Sequence, residues 1–319
     1  MPARERTLAV DLGGVVLPTP AMIAAGCAGT GRELSGLVDL RRVGGLVSRT
    51  ITVRPRAGSA TPRITESPAG VVWDTGLQNA GVDAFAAEEL PRLARGGAPT
   101  FVSIGGGTLE EYVRLTSALQ ARPEVAAIEV YLSGRDETMD HEVLGSHVER
   151  LVEIVGAVAR TSLVPVFAKL PGGSVDPVTL ARAAVRAGAT GLTLSGSPPA
   201  LSVEAAQLRP ALGGVTGWLS GPALKPLTLR TVFEVSAALP DVPLIASGGV
   251  RTGLDAVECL LAGAWAVQIG TGTLIDPAAP VEVAHEIARS LKALRLRSPA
   301  ELRGRLRLPV APSTEVAGA

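Results

Sequence analysis

The feature that most constrains this chain is a repeat of pattern rather than of letters: a short, apolar, β-branched run followed by a stretch of helical period. From residue 100 onward the runs are TFVSIGG, AAIEVYLS, VPVFAKLP, GLTLSG, PLIASGGV and AVQIGTGTL. Their near-continuous apolarity is that of parallel strands buried on both faces. Between them lie LEEYVRLTSALQ, HVERLVEIVGAVAR, DPVTLARAAVRAGA, LTLRTVFEVSAAL and TGLDAVECLLAGA. Several of these open on Thr or Asp, and Asp176-Pro177 sets an N-cap beside a first-turn proline. Upstream, MIAAG and GGLVSRTITV supply two further strands, so eight strand–helix units can be counted. Eight units predict a (β/α)8 TIM barrel, with an open doubly wound sheet as the alternative.

The segment LAVDLGGVVLP predicts a short N-terminal hairpin, VEVAHEIARSLKALRL a closing helix, and SPAELRGRLRL a small helical tail. A single domain is expected over residues 1–310, with 311–319 a disordered tail. Two long connections, 54 to 82 after the second strand and 197 to 224 after the sixth, insert at strand C-termini. That is the barrel face on which sites are built.

Composition narrows the function classes. Lys+Arg and Asp+Glu both number 30 in 319 residues, so no whole-chain field draws in nucleic acid or anionic lipid. Cys27 and Cys259 are the two cysteines, too few for a disulfide framework or a metal-ligand cluster. The N-terminus lacks an apolar signal core and no stretch has the apolar length of a membrane span. A cytoplasmic protein without a metal site is expected.

The strand PLIASGGV ends in Gly248-Gly249, and the next, AVQIGTG, ends in Gly270-Thr271. Glycines let a backbone approach an anion closely, the threonine adds a donor, and a following helix adds its N-terminal dipole. The two turns fall where barrels of this kind hold phosphate, and a sugar phosphate or FMN would fit equally. Lys169, in FAKLPGG, stands on the fifth strand, from which it can reach water or point into the barrel mouth. In the second case it could stabilise the negative charge gathering on a reduced flavin.

The phrases ESPAGVV, GLQNAGVDAF, AKLPG, LSGPALKP, ASGGV and QIGTGTLIDP together resemble the dihydroorotate dehydrogenase family, and they run through nearly the whole chain in that family's order. The likeness is to its soluble bacterial, FMN-dependent catalytic subunits. It implies FMN as cofactor, hydride transfer between a small-molecule substrate and flavin N5, and an electron-transfer subunit or a second copy of the chain as partner, in a homodimer or hetero-oligomer. It also places FMN contacts at Ala25, Thr50, Ser103, Lys169, Ser195, Gly221, Gly248, Gly249, Gly270 and Thr271.

The substrate half departs from that pattern. Where the family's fourth-strand phrase reads Asn, aliphatic, Ser, a Cys or Ser base, Pro and Asn, this chain reads Tyr131-Leu132-Ser133-Gly134-Arg135-Asp136. The base is a glycine. The family's ring-reading asparagine upstream of GLQN is Trp73, its Asn-Thr after the sixth strand is Gly196-Ser197, its second-strand lysine is Arg49, and Gly76 and Leu77 border the same pocket. The chain contains one asparagine, Asn79. A site built to read amide groups loses discrimination when its partners are missing. A substrate other than dihydroorotate is therefore expected, with Tyr131, Ser133, Asp136, His141 and Lys169 as candidate catalytic groups. Cys27, just after the first strand, could border the flavin or simply fill space. Two other readings stay open: a genuine dihydroorotate dehydrogenase with an unusual base, and a catalytically silent FMN-binding subunit.

Overall fold

The computed structural model describes residues 7–133, 147–173 and 176–309. Eight parallel strands close a barrel: β1 (Ala21–Ile23), β2 (Gly45–Val47), β3 (Thr100–Ile104), β4 (Ala127–Tyr131), β5 (Val166–Lys169), β6 (Gly191–Leu194), β7 (Leu244–Ser247) and β8 (Ala266–Ile269). Each pairs with its sequence neighbours, and β8 pairs with β1 to shut the ring. Helices over Leu109–Leu119, Val148–Thr161, Pro177–Arg186, Lys225–Ala238 and Gly253–Ala262 cover the outside, as their periodicity predicts. The caps also form: the Asp176 side chain accepts from Thr179 N at 3.0 Å, and Thr252 and Asp255 make a reciprocal capping box.

Alternation along the strands sorts side chains into an outer core, shared with the helices, and an inner one that fills the barrel. The inner core begins with Leu12, Leu17, Met22, Phe101, Phe167 and Ile245, where the Phe101 and Phe167 ring centroids lie 5.3 Å apart. Leu12 and Leu17 come from the expected N-terminal hairpin, Val10–Asp11 against Val16–Leu17, which stoppers the lower end. Each such side chain withdrawn from water contributes about 1.5–3 kcal/mol. Two residues further up the same strand faces, the apolar layer gives way to Ser103, Glu129, Lys169, Thr193 and Gln268, all buried.

The two insertions combine rather than standing apart, which their separate sequences do not reveal. Ile64–Ser67 and Gly70–Trp73 from the first pair antiparallel with Gly217–Ser220 and Pro199–Ala200 from the second. The resulting four-stranded sheet covers the C-terminal mouth. Beyond the barrel, helices at Ala279–Ala293 and Pro299–Leu302 match the expected closing helix and tail. Residues 310–319, and with them the expected disordered tail, lie outside the described residues.

Candidate active site

A cavity of about 380 Å³ lies between the barrel mouth and this sheet, within the range of small-molecule sites. On the barrel side it is lined by Ala25, Thr50, Lys169, Ser195, Gly248, Gly249, Gly270 and Thr271, with Gly221 at the junction with the sheet. Arg49, Trp73, Leu77, Tyr131, Gly196 and Ser197 line the rest. The fold thus brings most of the sequence-derived residues together. Three do not reach the cavity wall. Ser103 is buried behind Thr50, their hydroxyls 2.9 Å apart. Ser133 is 1% exposed, its Oγ unpaired among the described residues and occupying the space where a Cβ on Gly196 would stand. Gly76 serves a turn, with φ +60 and its N–H donated to Asp74 Oδ1 at 3.1 Å. Gly134, Arg135, Asp136 and His141 lie outside the described residues.

The glycine turns fit a phosphate. Gly249 has φ +78, and a Cβ there would drive into the backbone of Lys225; Gly248 has φ +128, with Thr228 Oγ1 at 2.6 Å from its would-be Cβ. Among the described residues, no carbonyl or side chain accepts from the backbone N–H of Gly248, Gly249 or Gly270. Bare donors of this kind are what an anion needs. The helix after β8 is only Thr271–Ile275, so the expected dipole contribution is small and the bare N–H groups are the main donors on offer.

Lys169 points inward rather than to water. Its Nζ donates to Gln268 Oε1 at 3.1 Å and meets Glu129 Oε1 at 3.4 Å, leaving one N–H for the cavity. The other carboxylate oxygen, Glu129 Oε2, accepts from Thr193 Oγ1 at 2.9 Å and Gln268 Nε2 at 2.7 Å. Four strands therefore meet in one hydrogen-bonded knot at the cavity wall, its charges paired as burial demands. Sequence reasoning did not single out Glu129 or Gln268. The available signal was a charged or amide residue in the middle of an apolar strand, with Glu129 two residues before Tyr131 and hence on its face.

On the covering sheet, Trp73 Nε1 donates to Ser220 Oγ at 2.6 Å, and Ser220 Oγ lies 2.9 Å from Ser197 Oγ. The indole is thereby pinned across the mouth with its only polar atom occupied. Asn79 is absorbed by the GLQN turn, bonding Thr52, Leu77 and Gly81. Burial, helped by Tyr112 and Asp74, pushes the Tyr131 phenol far above its usual range. Burial also pushes the Cys27 thiol up to about 11, against the opposing charge of Lys169. Both groups are protonated at neutral pH. Among the described residues, no group of three His, Cys, Asp or Glu could hold a metal, and no helix is long and apolar enough to cross a membrane.

A parallel eightfold barrel with bare glycine turns on its last two strands and a buried lysine at its mouth defines an α/β barrel of the class that binds a phosphate-bearing ligand. A sequence model of the dihydroorotate dehydrogenase family matches residues 7–291. The catalytic subunit of dihydroorotate dehydrogenase B (NAD(+)) from Geotalea daltonii is 40% identical over 301 residues, covering 94% of this chain and 98% of the relative. The protein of the same name from Desulforudis audaxviator is 41% identical over 296 residues, covering 93% and 96%. The one from Pelobacter propionicus is 40% identical over 285 residues, covering 89% and 93%. The chain belongs to the dihydroorotate dehydrogenase family, whose members are FMN-dependent oxidoreductases acting on CH–CH bonds.

Proposed function

We propose that the chain is an FMN-dependent oxidoreductase that exchanges a hydride with a small substrate other than dihydroorotate, working with an electron-transfer partner. The observation that carries the substrate reading is the covering wall: at the two positions where the family's pattern has asparagines, the cavity presents Trp73, with its N–H spent on Ser220, and Tyr131, while the Gln78 amide that also lines it has its Oε1 accepting from Arg63. When bound, the FMN supplies hydride acceptance or donation at N5. Gly248, Gly249, Gly270 and Thr271 would hold its phosphate by backbone donors, with Ala25, Thr50, Ser195 and Gly221 along its flanks. Lys169, held by Glu129 and Gln268, would stabilise the negative charge that grows on the flavin during reduction. The relatives are named catalytic subunits, which supports a separate electron-transfer subunit as the partner.

The same names support a second reading, oxidation of dihydroorotate itself. The two readings part in a stopped-flow experiment with the FMN-loaded chain. Loss of a general base slows proton abstraction by about 10²- to 10⁴-fold, so dihydroorotate is expected to leave the flavin oxidised on the time scale of turnover. A Gly134→Cys variant measured beside it reports whether base loss alone is responsible. Rapid bleaching of the unmodified protein by dihydroorotate refutes the proposal.

A further inference from the structure

The bare N–H groups of the two glycine turns carry no net charge, and a phosphate drawn out of water needs a countercharge as well as donors. Four cations line the cavity: Arg49, Arg63, Lys169 and Arg251. Three of them are engaged elsewhere. Lys169 is paired with Glu129, and Arg49 has its Nε 3.5 Å from Glu89. Arg63 is tied into the first insertion, donating to Ser59 O at 2.6 Å, Gln78 Oε1 at 2.6 Å and Ala57 O at 2.9 Å. Arg251 differs from them in place and in pairing.

Its place is between the two turns. Arg251 follows Gly248 and Gly249 by two residues in the chain, and its Cα stands 3.6 Å from where a Cβ on Gly272, two residues past Gly270, would be. Its backbone N donates to Asp255 Oδ2 at 3.1 Å, the oxygen that also accepts from Thr252 N at 2.8 Å. The main chain is thereby fixed at this point, while the residue itself is exposed at the cavity's edge. The neighbouring carboxylates are committed. Asp255 Oδ1 and Glu258 hold Lys225 at 2.7 and 2.9 Å, so that lysine, whose backbone packs against Gly249, has no charge to spare. Glu286 accepts from Gly253 N and Arg289. Among the described residues, Arg251 makes no ion pair.

We propose that Arg251 completes the cradle: its guanidinium pairs with the phosphate that the Gly248, Gly249 and Gly270 N–H groups hold, and supplies the charge they lack. The planar fork of an arginine matches two phosphate oxygens at once. An exposed arginine facing a single carboxylate contributes little, because water and salt screen it; a phosphate already fixed by backbone donors offers it a stronger and better oriented partner. The consequence is a cofactor preference. Riboflavin has the isoalloxazine and ribityl chain of FMN without the phosphate, so Arg251 separates the two flavins and leaves the ring's own contacts untouched. The inference rests on FMN as the cofactor and holds whichever substrate the covering wall admits.

The test titrates the full-length apo-protein with FMN and, separately, with riboflavin, following the change in flavin fluorescence, for the parent, Arg251→Gln and Arg251→Lys. Arg251→Gln is expected to weaken FMN binding by about 10- to 100-fold, the loss of one hydrogen-bonded charge pair, and to leave the riboflavin dissociation constant within about twofold. Retained riboflavin binding also shows that the variant is folded. Arg251→Lys keeps the charge without the fork and is expected to bind FMN at least about threefold more tightly than Arg251→Gln does. Raising the salt from about 0.05 M to about 0.5 M is expected to weaken FMN binding by the parent more than by Arg251→Gln, because only the parent has the exposed pair to screen. Unchanged FMN affinity in Arg251→Gln, an equal loss for FMN and riboflavin in both variants, or a parent that binds the two flavins equally overturns the inference. A parent that binds neither flavin overturns the cofactor reading beneath it, so the two failures are distinguishable.

Discussion

Lys169→Met tests the buried knot and the flavin site at once. In the parent protein the Glu129 side chain is fully buried and that of Lys169 is 9% exposed, so water contributes little to either charge. Removing the lysine strands a carboxylate that keeps its bonds from Thr193 and Gln268 but loses its countercharge. Breaking a buried pair in this way costs about 3–5 kcal/mol, and the two surviving hydrogen bonds place the expected loss at the lower end. At roughly 2 °C per kcal/mol for a domain of this size, the apo-protein should melt about 6 °C lower. Glu129→Gln is expected to destabilise similarly, and the double variant to recover most of the loss because no buried charge remains unpaired. With FMN bound, the two single variants should move the two-electron midpoint potential in opposite directions. Loss of the cation should lower it by about 60–90 mV, the equivalent of a donor contributing about 2.7–4 kcal/mol; loss of the anion should raise it. Thermal unfolding of the apo-proteins and potentiometric titration of the holo-proteins provide both readings. Single-variant costs below about 1 kcal/mol, costs that simply add in the double variant, or an unchanged potential in Lys169→Met would each refute the placement of this lysine.

Two further expectations concern the cradle. Gly249→Ala forces a side chain onto a residue at φ +78 and into the Lys225 backbone; a cost of about 1–3 kcal/mol and at least about tenfold weaker FMN retention by equilibrium dialysis are expected, and unaltered retention would separate this turn from the phosphate site. Asp255 caps the following helix and binds Lys225 at 2.7 Å. Burial pushes its carboxyl up, but the hydrogen bonds from Lys225 and Thr252 outweigh this and hold it below the usual range. A depressed folded-state pKa contributes stability above the unfolded value, lost as pH falls through the folded one. Asp255→Asn should therefore cost about 0.5–2 kcal/mol at neutral pH and flatten the acid limb of stability below about pH 4, as read from urea midpoints across pH. A variant whose acid limb keeps the parent slope would show that another carboxylate sets it.

Much of the barrel was legible along the chain because its causes are local. Apolar runs at strand length, helical periods between them, Asp176-Pro177 and Thr252 as caps, and the glycines after β7 and β8 each act within a few residues of themselves. The two glycine turns could be placed together for the same reason: turns on consecutive strands end up adjacent in any parallel sheet of sequential order. Resemblance named the other residues found on the barrel side of the cavity, including Thr50, with Ser103 standing behind it. The partners were not legible. Alternation says that Glu129, Lys169 and Gln268 face inward, but only closure of the ring sets Gln268 against a carboxylate 139 residues earlier in the chain. Likewise, nothing in either insertion alone announces that Trp73 will be pinned by Ser220, 147 residues away, because each insertion supplies half of a sheet whose edges find one another only above the finished barrel. The sequence determined which side chains could carry charge, protons and phosphate, since that chemistry is intrinsic to the residue and its local period. Tertiary structure decided which of those groups are paired, which are spent and which remain free to act, because pairing depends on contacts made across the closed ring and between the two insertions.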